Sequence, residues 1–475
     1  MAKARSIFVC QSCGAQFPKW MGRCQECGEW NTVTEEMPAS TGGLAGLAGL
    51  AGKAAGNAPR RSGMSTIAPG SAQAVPLAEV ADHDAASRLA TGIPEVERVL
   101  GGGLLPGSVC LLGGDPGIGK STLVLQLLDK LGAAGHAGLY ISGEESAGQI
   151  KNRAQRLSIS GANVHLLAEV ELERMAPEIE RLTPALIVVD SIQTVRTGEL
   201  DSIAGNVSQV RACAARLIHH AKTHGATVLL IGHVTKEGAL AGPRTLEHMV
   251  DVVLYLEGAS ERPQRILRSV KNRFGPTGEI GLFQMTETGL EAVSNPSTLF
   301  LEERSQGAPG TVVFAGMEGT RPLLIEIQAL VGDNASPYAR RTAVGMDGNR
   351  VALLQAVVEK HLGDNLGGLD IYLNVVGGLR LNEPALDAAA LAAMLSSYRK
   401  RPMHPTTILF GEVGLAGELR GVSHAAERLA EAARLGFTRA ILPTANAKGL
   451  TNPPKELEIH GASSVADLAE LVLGR

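Results

Sequence analysis

Gly114, Gly119, Lys120 and Ser121 fall in the spacing Gly-x4-Gly-Lys-Ser, within the run Gly114-Asp115-Pro116-Gly117-Ile118-Gly119-Lys120-Ser121-Thr122, and that pattern serves phosphate chemistry. Glycines let backbone N–H groups curl around phosphate oxygens, and a helix N-terminus behind them favours anionic charge. Residues 114–122 are therefore read as a nucleotide-binding loop, with Lys120 on the terminal phosphates and Ser121 as a Mg²⁺ ligand. The apolar run 186–190, LIVVD, ends in a carboxylate, as a buried parallel strand would deliver it. Asp190 is expected to hold the same Mg²⁺ through water, with Ser191 beside it; a strand-end aspartate capping the next helix is the alternative. A second acidic strand end, 139–146 (LYISGEES), offers Glu144 as the base or orienter for attacking water, placed on a strand next to the P-loop strand, with Glu145 as alternate. A fourth apolar run, 226–232, ends in His233-Val-Thr235-Lys236, either a sensor of the terminal phosphate or a solvated loop.

A different chemistry opens the chain. Cys10-x2-Cys13-x10-Cys24-x2-Cys27 places two thiolate knuckles a hairpin apart, the spacing of a tetrahedral four-cysteine Zn²⁺ site. A module of about thirty residues cannot bury enough core to fold without such a staple. Two disulfides or a redox pair are the alternatives. Lys3, Arg5, Lys19 and Arg23 would let the ribbon touch phosphate or a protein partner, or form a solvated basic face. Cys110 and Cys213 sit in apolar surroundings and read as core.

Lys271-Asn272-Arg273-Phe274-Gly275 follows the strand-like run RILRSV. Side chains alternate along a strand, so Lys271 and Arg273 point the same way, as one charged comb. Set against the P-loop of a neighbouring copy, such a comb would stabilise charge on a transferring phosphate; a basic strand edge that discourages aggregation is the alternative. Two segments are candidate nucleic-acid loops: 196–211, small, polar and expected to be flexible, and 236–247, Gly-rich, with Lys236 and Arg244 as phosphate contacts or solvated charge.

These residues need several domains to hold them, and 475 residues with a net charge of −4 supply the length without a global basic field. An aromatic content of 3% argues against binding single strands through extensive base stacking and leaves backbone-tracking contacts open. No run of 18 apolar residues exists and the start, MAKARSIF, has no export core, so a cytoplasmic location without a membrane partner is expected. The expected organisation is α/β: a zinc ribbon at 1–33, a Gly/Ala-rich flexible linker at 34–77, an ATPase core at 78–295 and a second α/β domain at 296–475. Within that last domain the patterning predicts a hairpin from Thr311, helices at 350–361 and 383–399, and strands at 371–376 and 407–411. Tyr338, Arg340, Arg341, Arg350 and Arg380 form a basic set that would grip a nucleic-acid backbone or a surface salt-bridge network.

The run 91–123, TGIPEVERVLGGGLLPGSVCLLGGDPGIGKSTL, resembles the opening of the RecA/DnaB-type ATPase core, and the following order of acidic and His-tipped strands agrees with it. With the four-cysteine ribbon ahead, KNRFG within and a long domain behind, the chain resembles the bacterial RadA (Sms) family of DNA-repair proteins over essentially its full length. The resemblance implies a RecA-like core, a Lon-protease-like C-terminal domain, and ATP, Mg²⁺ and Zn²⁺ as cofactors. It also implies a homo-hexameric ring with DNA-dependent ATPase activity in recombination and repair. Such a ring would act on single-stranded and branched DNA with the recombinase RecA, by branch migration and heteroduplex extension. It places the Lys271–Arg273 comb on the neighbour's P-loop, with DNA contact as a second role. By the Lon pattern the Ser/Lys dyad would fall at Ala385 and Ala426, whose methyl groups cannot do peptidase chemistry. An ATP-timed protein-binding switch, without motor activity on DNA, is the rival from another class.

Overall fold

The computed structural model describes residues 7–10, 15–26, 28–30, 32–36, 88–232, 245–258, 262–302, 304–305, 307–333 and 339–474. The chain divides into two compact units, Met1–Val293 and Ser294–Arg475.

In the first unit three short strands pair antiparallel in the order Gln16–Phe17, Ile7–Cys10, Val33–Glu36. The apolar core beneath them is Cys10, Cys24 and Val33, with Phe8, Ala15 and Phe17 packed against it. The third strand carries the ribbon past 33, and the rest of the expected linker lies outside the described residues.

The segment expected to form the ATPase core is built on a nine-stranded sheet in the order Gly289–Ala292, Ile280–Thr286, Gln264–Asn272, Val252–Glu257, Val109–Gly114, Thr227–Ile231, Leu186–Asp190, Gly138–Ser142, Val164–Ala168. The six strands from Val252–Glu257 onward run parallel, which demands crossovers and buries both faces of the sheet except at the edge strand Val164–Ala168, whose residues are exposed or half-buried. Hence their near-continuous apolar runs. Cys110, Leu112, Val188 and Leu229 join the core beneath helix Lys120–Ala133, while Leu111, Ile187, Val189 and Leu230 join that beneath helices Leu172–Leu182 and Val207–His224. Full burial of each such side chain contributes about 1.5–3 kcal/mol.

Two expectations fail here. The P-loop strand is flanked by Thr227–Ile231 and Val252–Glu257, so the strand leading to Glu144 is not its neighbour; Thr227–Ile231 and Leu186–Asp190 stand between them. Alternation of strands and helices fixes parallel pairing, whereas the order depends on how far each crossover carries the chain. The segment 196–211 is not one flexible loop. Helix Val207–His224 begins inside it, and the buried Gln209 side chain accepts from Thr197 N at 2.9 Å and donates to the carbonyls of Leu200 and Ser202 at 3.0 and 2.8 Å. A buried amide must satisfy its polar atoms, and Gln209 does so by lacing the loop to the helix.

The second unit holds a seven-stranded mixed sheet in the order Arg341–Val344, Leu369–Val375, Arg321–Asp333, Thr311–Glu318, Thr407–Leu409, Arg439–Pro443, Glu458–Ala462. Thr311–Glu318 and Arg321–Asp333 form the expected hairpin, and helix Gly348–Leu362 precedes strand Leu369–Val375. Helix Asp387–Tyr398 is buried all round from Asp387 to Ser396, which its alanines permit by letting neighbours approach from every side. Arg350 is not a free phosphate contact. Its Nε donates to Asp387 Oδ1 at 2.8 Å and its Nη2 to Val413 O at 3.0 Å, because a carboxylate only 1% exposed requires a charged partner. Arg341 is likewise held, donating to Gln355 Oε1 and to Leu369 O; Arg340 and Arg380 are exposed, and Tyr338 lies outside the described residues. Among the described residues no helix is long and apolar enough to cross a membrane.

Candidate active site

Residues 114–122 connect the buried strand Val109–Gly114 to helix Lys120–Ala133, whose N-cap is Gly119. Gly119 has φ +115°, a left-handed conformation that favours glycine, and a Cβ there would also lie 2.7 Å from the tip of the Met285 side chain. Asp115, Pro116 and Gly117 are exposed, whereas Ile118 and Lys120 are buried and Ser121 and Thr122 half-buried. Lys120 Nζ donates to Gly114 O at 2.7 Å and Asp115 O at 2.9 Å, which holds the ammonium inside its own loop. Burial pushes the Lys120 pKa down, and the carboxylates of Asp190, Asp115 and Glu144 oppose that shift.

Ser121 Oγ donates to Asp190 Oδ2 at 2.6 Å, bringing together two residues 69 apart in the chain. Tyr140 OH donates to the same oxygen; burial and the Asp190 charge together push the Tyr140 pKa up. One step further along, Ser191 Oγ donates to Glu144 Oε1 at 2.7 Å. Glu144 is thus tied to the residue after Asp190 despite its different strand position, while Glu145 is paired with Arg153. The Ser121–Asp190 oxygens are hard donors beside a buried ammonium, a set that fits Mg²⁺ and a phosphate chain. His233, Thr235, Lys236 and Arg244 lie outside the described residues.

Tyr140 was not legible in the sequence as a site residue. It reads as one more aromatic in an apolar strand, and only the sheet order, which sets Gly138–Ser142 beside Leu186–Asp190, aims its hydroxyl at Asp190.

Lys271, Asn272, Arg273, Phe274 and Gly275 gather at the opposite end of the sheet from the loop. Strand Gln264–Asn272 has a register irregularity between Ser269 and Lys271 where it pairs with Val252–Glu257. Lys271 Nζ donates to Glu247 O and Val250 O at 2.7 and 2.8 Å, closing the C-terminal end of helix Thr245–Met249. Burial and the neighbouring Arg273 charge push the Lys271 pKa down. Arg273 Nη1 meets Asp251 Oδ1 at 3.3 Å and is more than half exposed; Asp251 also accepts from Val109 N at 3.0 Å and Lys222 Nζ at 2.6 Å. Asn272 accepts from Phe274 N at 2.9 Å, and Arg88 Nη2 donates to Phe274 O at 2.6 Å. A Cβ on Gly275 would lie 2.9 Å from Asn272 Nδ2. Val109 and Gly114 are the two ends of the P-loop strand, about 17 Å apart at the rise of an extended chain. Lys271 and Arg273 therefore sit a strand's length from their own phosphate loop.

In the ribbon, Cys10 N donates to Ala15 O at 2.9 Å and Cys24 N to Glu29 O at 2.8 Å, the same five-residue turn twice. Both thiols are buried, a donor set that suits Zn²⁺; Cys13 and Cys27 lie outside the described residues. Cys110 and Cys213 are core, and burial pushes each thiol up to about 12. In the second unit Ala385 is buried and Ala426 exposed, and two residues from each stand Glu383 and Arg428, whose carboxylate and guanidinium pair at 2.7 Å.

Fold and site together define an α/β P-loop ATPase. Residues 75–239 match a family model described as an AAA domain, 8–35 one described as a rubredoxin metal binding domain, and 364–475 one described as the Lon protease (S16) C-terminal proteolytic domain. The chain is 48% identical over 474 residues to the DNA repair protein RadA of Bacillus subtilis (strain 168), covering 100% of each chain. It is 47% identical over 473 residues to DNA repair protein RadA of Brucella abortus (strain 2308), covering 98% of this chain and 97% of that one. It is also 47% identical over 447 residues to that of Pseudomonas aeruginosa, covering 94% of each. The chain belongs to the family of the DNA repair protein RadA.

Proposed function

We propose that this protein is a DNA-dependent ATPase of homologous recombination and DNA repair. It works as a homo-hexameric ring on single-stranded and branched DNA, and promotes branch migration and heteroduplex extension with the recombinase RecA. The observation that carries the ATPase reading is the Ser121–Asp190 contact at 2.6 Å, which joins the phosphate loop to the acidic strand end beside a buried Lys120. Residues 114–122 bind the phosphates of ATP, and Ser121 and Asp190 hold Mg²⁺. When bound, that ion offsets the negative charge that develops on the phosphate oxygens. Glu144, oriented by the Ser191 hydroxyl, takes the proton of the attacking water. Lys120 stabilises charge on the terminal phosphate.

The trans role of Lys271 and Arg273 is supported by their place a strand's length from their own loop, since neither can reach a phosphate bound there. A ring would set them on the neighbour's loop and make turnover depend on assembly. Cys10, Cys13, Cys24 and Cys27 hold a structural Zn²⁺ in the ribbon. The Lon-like domain serves assembly and DNA contact and is proteolytically inactive, a reading supported by alanine at both expected dyad positions, 385 and 426. The test is ATP hydrolysis by the full chain with and without single-stranded DNA. Several-fold stimulation, abolished by Lys120→Ala, is expected; turnover retained in Lys120→Ala would refute the loop assignment, and active protein with no DNA response would favour the protein-binding switch.

A further inference from the structure

We infer that Arg265 is a positioning residue of the phosphate loop, one that pins the Ile118 carbonyl and so aims the Gly119 amide into the loop. This rests on the reading of residues 114–122 as the nucleotide site. Arg265 stands on strand Gln264–Asn272, far from the loop in sequence, and is only 6% exposed. Its Nε donates to Ile118 O at 3.0 Å, and its Nη1 donates to Gln264 O at 2.8 Å and to Arg262 O. The guanidinium is thus fixed to its own strand by one arm and to the phosphate loop by another.

A trans peptide unit is planar, with its C=O and N–H directed oppositely. Holding the Ile118 carbonyl outward therefore turns the Gly119 N–H inward. Gly119 is the N-cap of helix Lys120–Ala133, where the unpaired amides that receive an anion gather. Without the arginine, the carbonyl would be free to rotate into the loop and present an oxygen to the phosphates.

The surroundings are shaped to admit this side chain. Gly258 has φ +155°, and a Cβ there would lie 2.9 Å from Arg265 Cδ and 2.7 Å from Gln264 O, so only glycine leaves room for the arginine stem. Burial alone pushes the Arg265 pKa down from its ordinary value, the mark of a cation kept inside at a cost. Packing by itself would be met by an apolar side chain. A donor whose charge reinforces the attraction of the loop for anions is what the position adds.

The test compares Arg265→Met and Arg265→Lys with the wild-type full chain, measuring ADP affinity by a fluorescent analogue together with KM and kcat for ATP. Loss of the carbonyl anchor is expected to weaken ADP binding and raise KM about tenfold in Arg265→Met, with kcat changed by less than about threefold and part of the affinity recovered in Arg265→Lys. A role in packing alone would lower thermal stability in both variants while leaving nucleotide affinity in the folded fraction untouched, and that result would overturn the proposal. Should Arg265→Met fail to fold, wild-type affinity in Arg265→Lys overturns it and a reduced affinity at unchanged kcat supports it. Lys120→Ala, run alongside, separates the two levels: ATP turnover retained there sinks the loop assignment itself, whatever the Arg265 variants do.

Discussion

Asp190 collects more of the candidate site than any other side chain, receiving hydrogen bonds from Ser121 and Tyr140 on the one oxygen Oδ2. A hydrogen bond to a charged acceptor is worth about 1.5–3 kcal/mol, so Tyr140→Phe is expected to lower ATP turnover by about tenfold or more while leaving the fold intact. A Mg²⁺ titration of hydrolysis checks it, and an unchanged titration would remove Tyr140 from the site. A second buried group gives a pH signature in the other unit. Glu326 is 2% exposed, and burial pushes its carboxyl above the ordinary carboxylate value against the opposing charge of Arg304. The folded state therefore binds this proton more tightly than the unfolded chain. Its contribution is fully present below the unfolded value and is lost as pH rises through the raised one. Glu326→Gln should remove that loss, raising the melting temperature at pH 8 relative to wild type and doing little at pH 4.

Charged pairs also join elements whose contact no motif announces. Arg428, its side chain 2% exposed, leaves helix Ala425–Arg434 to donate Nη2 to Glu383 Oε2 at 2.7 Å and Nη1 to Ala315 O at 2.6 Å on strand Thr311–Glu318. Removing one partner of a buried pair leaves the other charge unmatched, at a cost of about 3–5 kcal/mol. Arg428→Met should lower the denaturant midpoint of the C-terminal unit accordingly, and Glu383→Gln in the same chain should restore part of it. This pair, like that of Arg350 with Asp387, marks the limit of what was legible. The strand, turn and helix around Gly114–Thr122 were readable because phosphate binding prescribes residue types at fixed spacing, and LIVVD because a strand buried on both faces is apolar throughout. Tyr140, Gln209, Arg265 and Arg350 were not, since their partners lie across the fold and are chosen by strand order. Strand order also misplaced Glu144, which nevertheless reaches Ser191 because its loop follows the strand paired with Leu186–Asp190.

A single copy of the chain, on the proposed reading, carries two half-sites: a phosphate loop at one end of its sheet and the Lys271–Arg273 cations at the other. Arg273→Ala is expected to bind ATP with wild-type affinity and turn it over slowly, and Lys120→Ala to be inactive. Mixing the two variants before assembly should recover turnover above either alone, because each intact loop then meets intact cations on a different copy. Hydrolysis that stays at the sum of the separate variants would confine both residues to one chain. The strand's length of separation along the sheet also has a consequence for inheritance. On the proposed ring, each defective copy spoils one nucleotide site, its own or its neighbour's, so a cell expressing a mutant allele beside a normal one in equal amounts would keep about half of its active sites.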